Sequence, residues 1–476
     1  MSLWFARGFV SVVSLVVVLV ASLAPAEAQK GKLIDKAKNM ALVGFHNLQA
    51  RSAYQPIVHR QGSRWIAYVG HHGGSAFNPL TGVDEPNGTS VIDVTDPEHP
   101  IYLKHIPGPA GVGEAGGAQM VRVCNGSDLP AANPTRVYLL RPRGNDAHEI
   151  YDVTDPAAPS LLTTIVDGLG GTHKNWWECD TGIAYLVSGV PGWRTNRMTQ
   201  IFDLSNPASP VHIRDYGLVG QEPGSSGPVP TSLHGGISIG QRVYFGHGTN
   251  AGGILQIVDR TKLLTGDPAP TPANLEFPII AQFSTSSLVG AHTTFPVLGI
   301  PVPGDEFTVG SVRDIVVLVN ESLRNECIGE AHQMVFLVDV TVESTPQVIS
   351  NFHVPESPGN FCQKGGRFGA HSSNENMTPI YYGRLVFIAY FNAGVRAVDI
   401  RDPFNPQEVG YFIPATTSDT DERCVTVGGV ETCKVAIQTN NVDVDDRGYV
   451  YIVDRANTGM HVLKVTGKAR DIANFP

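Results

Sequence analysis

Six cysteines occur in 476 residues, and no two stand as Cys-x-x-Cys, which counts against a thiol redox motif and against a cysteine-ligated zinc site. Lys and Arg form no run and the formal charge is -10. A nucleic-acid backbone would therefore find no basic footprint, and nucleic acid is set aside as a partner. No segment sustains an apolar period of 3.6 residues, so little helix is expected. Apart from Val10 to Leu23 no long apolar run occurs, and that one is short for a membrane span. With Arg7 before it and Ala26-Glu27-Ala28 after it, it reads as a cleaved export signal over residues 1–28. The mature chain is expected to be soluble and periplasmic or extracellular, without a membrane span.

Glycine and proline are abundant, at 51 and 34, as short strands and tight turns require. One stretch explains them. EIYDVTDPAAP, Glu149 to Pro159, is an alternating strand stopped by Asp155, which can bond its own backbone, and by Pro156, which fixes φ. Related versions are SVIDVTDPEHP, QIFDLSNPASP, VFLVDVTVESTP and VRAVDIRDPFNP, with looser copies LQIVDRTKLLTGDP and MHVLKVTG. Repeats of about 40 to 70 residues override the usual length prior for several domains. Each unit reads as four strands, and four-stranded sheets repeated radially close on themselves with few free edges. The predicted fold is all-β, a seven-bladed β-propeller of four-stranded antiparallel blades occupying 29–476. Blades are placed near 40–105, 113–168, 171–218, 231–284, 289–353, 368–413 and 437–476. Gly220 to Pro230 and Pro301 to Gly310 read as surface loops. The last outer strand is expected from either the C-terminal KARDIANF or the N-terminal KLIDKAK.

Stacked on one another, these third strands resemble the "VDVSDPxxP" strand and turn of the LVIVD-repeat proteins, exported β-propellers that mostly have no assigned reaction. The resemblance covers nearly the whole mature chain and implies the fold. A weaker likeness, of architecture and histidine placement, is to the selenium-binding protein/methanethiol oxidase propellers, whose histidines are functional.

Six cysteines in an exported chain suggest disulfides, with 15 possible pairings. Cys424 and Cys433 bracket a hairpin; Cys124 with Cys179 and Cys327 with Cys362 would each link neighbouring units.

Aligned by inner strands, the units place His46, Gln119, His173, His234, His292, His371 and Asn441 (or Asn440) at one position. With 16 histidines in the chain, chance predicts fewer than one at seven places. Inner strands face one axis, and neutral imidazole is the commonest protein metal ligand. His173, His234, His292 and His371, from contiguous blades, are the expected metal ligands, with His46 as a fifth ligand or acid/base group. Loops after the second strands would roof the ring with His71, His72, Arg141, Arg143, Trp193, Arg194, His247, Glu321, Tyr390 and Arg455. Of these, His247, Arg141, Glu321 and Tyr390 join His46 as candidate catalytic groups around a small-molecule substrate.

A thiolate-free, imidazole-rich ring suits a transition metal ion, copper or iron first and zinc next. Four-histidine propellers of the carotenoid-oxygenase type hold ferrous iron and methanethiol oxidases are copper proteins; both are analogies, without their linear motifs here. Copper or iron would support oxidation of a small organic or sulfur compound; zinc would activate water for a hydrolase or lyase reaction. A non-catalytic propeller presenting a face to a protein or cell-surface partner is the rival. Ser238 in GISIG lacks the strand-turn-helix setting of a nucleophile elbow. DVDDRG from Asp443 lacks the closing Glu of a calcium loop. Trp176 and Trp177 read as strand packing.

Overall fold

The repeated Asp-x-x-Asp-Pro element forms the same turn in blade after blade. Asp93, Asp152, Asp203, Asp339 and Asp399 each end a third strand, and each side chain accepts the backbone N–H two residues on. The next Asp or Asn of the repeat does the same: Asp96, Asp155, Asn206 and Asp402 accept from Glu98, Ala157, Ala208 and Phe404. Between them Thr95, Thr154 and Thr341 take the backbone N–H that begins the blade's second strand. Side-chain oxygens thus satisfy groups that the sheet leaves open at its rim. In blade 4 Asp259 instead caps a short helix, Arg260–Thr265, through Lys262 N–H.

The structure is a computed structural model and describes Met1 and residues 32–476, except 303, 305–309, 358 and 428. The proposed signal at 1–28 and most of the loop from Pro301 to Gly310 lie outside the described residues. Seven antiparallel sheets, each running from an inner to an outer strand, follow one another along the chain. Their inner strands are Ala53–Gln61, Arg122–Asn125, Asn175–Trp177, Leu233–Ile239, Thr293–Pro301, Ser372–Ser373 and Thr439–Val444. Apolar side chains fill the spaces between successive sheets; Ile237, Val317 and Val386, from blades 4, 5 and 6, share one buried cluster. The fold is a seven-bladed β-propeller.

Two expectations, one about the first inner strand and one about the closing strand, are corrected. Met40–His46 is not an inner strand; it is the outer strand of blade 7, paired antiparallel with Met460–Val465. This strand closes the ring. KARDIANF does not: Gly467–Ile472 is helical. KLIDKAK does not either, since Ile34–Lys38 adds a fifth strand to the outer edge of blade 6. N-terminal chain thus covers two sheet edges that would otherwise be open templates for aggregation. Gly44 is required in the closing strand, because a Cβ there would stand 2.0 Å from the carbonyl oxygen of Pro97.

All three expected disulfides are present, Cys124–Cys179, Cys327–Cys362 and Cys424–Cys433. They fit an oxidising environment. No helix among the described residues is long and apolar enough to cross a membrane. Cys124–Cys179 joins blades 2 and 3 across 55 residues. Its double alanine variant should lose about 2–5 kcal/mol of stability, read from the shift of the guanidinium unfolding midpoint at unchanged slope.

Candidate metal centre

Each blade contributes one side chain to a closed ring, set at or just before the start of its inner strand. Gln119 Oε1 lies 2.8 Å from His173 Nδ1. His173 Nε2 lies 3.0 Å from His234 Nε2. The rings of His234 and His292 stack at 3.4 Å, and those of His292 and His371 are 4.6 Å apart. His371 Nδ1 donates to the Asn440 carbonyl at 2.6 Å, and the Asn440 side chain donates to the Tyr54 carbonyl. Tyr54 returns the circuit to His173, with its hydroxyl 3.1 Å from Nε2. Four imidazoles far apart in the chain therefore meet at one buried hub.

Three of the four second nitrogens, those of His173, His292 and His371, have a partner outside the four imidazoles. Gln119 donates to the Glu114 carbonyl at 3.1 Å, which orients its amide so that Oε1 accepts from His173 Nδ1–H. His371 donates from Nδ1, and His292 Nδ1 lies 3.0 Å from Thr293 Oγ1. Such outer bonds fix the tautomer that presents Nε2 inward, as metal-ligating histidines do. His292 Nε2 and His234 Nδ1 are buried with no protein partner. Glu321, from the loop after the second strand of blade 5, faces this gap: Oε2 is 3.7 Å from His292 Nε2 and Oε1 is 3.5 Å from His371 Nε2. Donor atoms of His292, Glu321 and His371 all lie within 4.8 Å of one another. Two imidazoles and a carboxylate, with two more imidazoles beside them, are a fitting donor set for a first-row transition metal.

Burial holds all four imidazoles well below their ordinary pKa of 6.5, with neighbouring cationic groups adding to the effect, so they stay neutral and able to ligate. Glu321 is raised by burial, opposed by Arg367 and Arg455. Arg367 Nη1 is 3.0 Å and Arg455 Nη1 3.8 Å from Glu321 Oε1. Arg455 also donates to the Asn440 side chain and lies 3.3 Å from His371 Nε2. On the other side Arg197 pairs with Glu114, and His72 stacks edge-on against Tyr54 at 4.8 Å. Beneath the ring, Glu375 of blade 6 pairs with Arg122 of blade 2 and Lys174 of blade 3. These are opposite sides of the propeller, so the cluster bridges its axis. Gly235 makes room for it; a Cβ there would meet Lys174 Cδ at 2.4 Å.

Other expected site residues lie elsewhere. His46 ends the outer strand of blade 7, its Nδ1 accepting from Leu48 N–H; Tyr54 takes the place assigned to it in the ring. Arg141 is occupied between blades 1 and 2 by the Ile106 and Pro107 carbonyls, Glu149 and Tyr151. The Tyr390 hydroxyl meets His332 at 2.7 Å and Val354 N–H. His247 is buried with neither nitrogen bonded to protein. Among the roof candidates, His71 bonds Ser90, Arg143 pairs with Asp146, and Trp193 packs between blades 3 and 4. Arg194 holds the Gly220 and Gly227 carbonyls. Ser238 accepts from Trp176 Nε1 and is a packing contact. The missed ring member, Tyr54, could have been found from the Gln61-Gly62 turn: the strand entering that hairpin is AYQPIVHR, and Pro56 within it obscures the pattern.

Buried histidines away from the ring give the fold an acid limit. Burial lowers His105 and His148 to about 4 and His247 and His461 to about 3. An unfolded histidine takes up its proton near 6.5, so each contributes stability above that pH that is lost as pH falls toward the folded value. Asp443 and Asp454, raised by burial to about 7 and about 6, act oppositely: their contribution is full below 3.8 and lost as pH rises through the raised values. His46, His59, His71, His72 and His332 are lowered by burial as well, so the lowered histidines outnumber the raised carboxylates and unfolding below pH 6 takes up protons on balance. Stability should therefore fall below pH 6 by roughly 1.4 kcal/mol per pH unit for each net proton. Guanidinium unfolding at pH 4.5 to 7.5 checks the sign.

No family model matches the chain, and no curated protein matches it. Among solved structures it is similar to the β-propeller domain of Myceliophteria thermophila Cps50 (Swd1), at 9% identity over 91% of this chain and 99% of that one, TM-score 0.45. It is also similar to Chaetomium thermophilum Sqt1, at 8% identity over 90% and 98%, TM-score 0.47. Sqt1 bound to the N-terminus of the ribosomal protein L10 gives 9% identity over 88% and 89%, TM-score 0.42. At such identities the likeness is one of propeller architecture.

Proposed function

We propose that the protein is an exported metal-dependent oxidoreductase that acts on a small molecule at the ring of His173, His234, His292 and His371, with Glu321 completing the donor set. One observation carries the reading. Buried neutral imidazoles from four successive blades converge beside a carboxylate, the outer nitrogens of His173 and His371 bonded to oxygen acceptors, while His292 Nε2 and His234 Nδ1 have no protein partner. Unpaired buried polar atoms cost free energy and occur elsewhere too, on His247 for one; here they converge with a carboxylate, which supports a bound cation. The resemblance of the repeat to that of the LVIVD-repeat propellers supports the same export reading, as do the three disulfides. Copper or iron bound here would supply redox chemistry toward a small organic or sulfur substrate. The protein's part is to hold the ligands in one tautomer, to exclude water from the hub and to block the axis below with the Glu375 cluster. Tyr54, fully buried and 3.1 Å from His173, stays a neutral hydrogen-bonding group because burial raises its pKa well above 10.0.

Elemental analysis of protein purified from its native compartment tests this. About one equivalent of copper or iron is expected. Protein without metal, whose function survives alanine at His234 and His292, would instead be a binding propeller. Turnover without dioxygen consumption would assign a hydrolase or lyase.

A further inference from the structure

Above the ring, Arg367 and Arg455 lie over one aromatic side chain. Their guanidinium carbons are 5.3 and 5.2 Å from the centre of the Phe391 ring. Both point at the same carboxylate oxygen, Glu321 Oε1, and each reaches it through a single Nη1. Arg51 and Arg214 are buried on carbonyl and amide oxygens alone, and Arg122 shares Glu375 with Lys174, but other arginines are matched more fully. Arg141 is held by Glu149, two carbonyls and a tyrosine hydroxyl, and Arg197 has Glu114 to itself. Arg423, whose Nη2 donates to the Arg455 carbonyl, has Asp421 at 3.9 Å. The Arg367–Arg455 pair thus shares one negative charge between two cations, in a setting where uncompensated charge is costly.

Metal binding would sharpen that imbalance. Glu321, committed to a cation beside His292 and His371, would give part of its charge to the metal. His371 Nε2, now 3.3 Å from Arg455 Nη2, would turn to the metal and release that donor. Two guanidinium groups would then stand beside the centre with freed donors, in the fork geometry that suits a planar or tetrahedral oxyanion.

We propose that the substrate is a small molecule with an oxyanion head, a carboxylate, sulfonate or phosphate, held by Arg367 and Arg455 over Phe391, so that its remaining atoms lie beside the histidine ring. This rests on the metal reading above and adds to it the charge and placement of the substrate. It also requires that anion and metal bind cooperatively, since the metal frees the groups that the anion uses.

Co(II), whose visible absorption reports its ligands, is the probe. Metal-free protein is loaded with Co(II) and titrated with acetate, sulfate and inorganic phosphate, following both the cobalt spectrum and the heat of binding. The metal-free protein receives the same titrations. At least one anion should perturb the cobalt bands and bind about tenfold or more tightly to the loaded form. Arg367→Gln should weaken that anion about tenfold or more while Co(II) stoichiometry, which serves as the folding control, is unchanged; Arg367→Lys should recover part of the loss. The tightest of the three anions names the head group. Full cobalt loading with no anion response, or an Arg367→Gln protein that binds anions as the parent does, overturns this proposal and leaves the metal reading standing. Protein that takes up no cobalt overturns both.

Discussion

Alanine at both His292 and His371 should abolish stoichiometric metal binding, lowering affinity well beyond the about 10–100-fold that loss of an outer partner causes. These two residues with Glu321 form the tightest donor cluster at the hub, with ligand atoms within 4.8 Å. Gln119→Ala is the informative companion. Its side chain touches no ligand position and only orients His173 through Nδ1, so its effect should stay within the outer-partner range. Competition titration against a chelator of known affinity separates the two. Equal, small losses in both variants would mean that the ring is a hydrogen-bonded plug. Removing His292 relieves one buried nitrogen without a partner, while removing His371 takes a donor from the Asn440 carbonyl and a contact from Arg455, and both changes create space.

Glu375→Gln should be the most destabilising single change in the channel, at about 3–5 kcal/mol. Glu375 is the shared partner of Arg122 and Lys174, and all three are buried. Arg122 has further support from the Asn175 carbonyl and from the face of Trp176; Lys174 has only Glu375 among the described hydrogen bonds. Removing the charge strands two cations in the interior. Burial and Arg122 already lower the Lys174 pKa, while Glu375 raises it, so without the carboxylate the lysine should shed its proton to survive. Lys174→Met combined with Glu375→Gln should recover part of the loss, because the cation left without a partner is then gone. Guanidinium unfolding of the single and double variants measures the coupling, and additive losses would show that the ion pair contributes nothing specific.

How much was legible in the sequence depended on how local the physics was. The Asp-x-x-Asp-Pro turn is a bond between a side chain and the backbone two residues on, so Asp155 and its counterparts could be read directly. Five copies of it with two looser repeats dictated seven blades, and period-two alternation dictated strands. The disulfides were suggested by the same locality, two coupling neighbours in that repeat and the third closing a hairpin. Once the repeat was indexed, His173, His234, His292 and His371 fell at one register, and the hub geometry required them to meet.

Closure and roof were decided by tertiary structure. Met40–His46 has the alternation of any strand; only its pairing with Met460–Val465 makes it the seal of the ring rather than a lining of the channel, and this moved His46 outward and Tyr54 inward. Glu321, Arg141 and Tyr390 occupy comparable loops in sequence, yet only Glu321 reaches the imidazoles, while Arg141 is spent on carbonyls of the preceding blade. The cross-channel union of Arg122, Lys174 and Glu375 joins residues up to 253 apart in the chain. Sequence alone determined the repeat, the blade count and the four convergent histidines, because those rest on bonds within a few residues and on a fixed period. Which charged groups surround the ring was fixed only when the blades closed, because long side chains choose partners by the space and charge that distant segments bring to them.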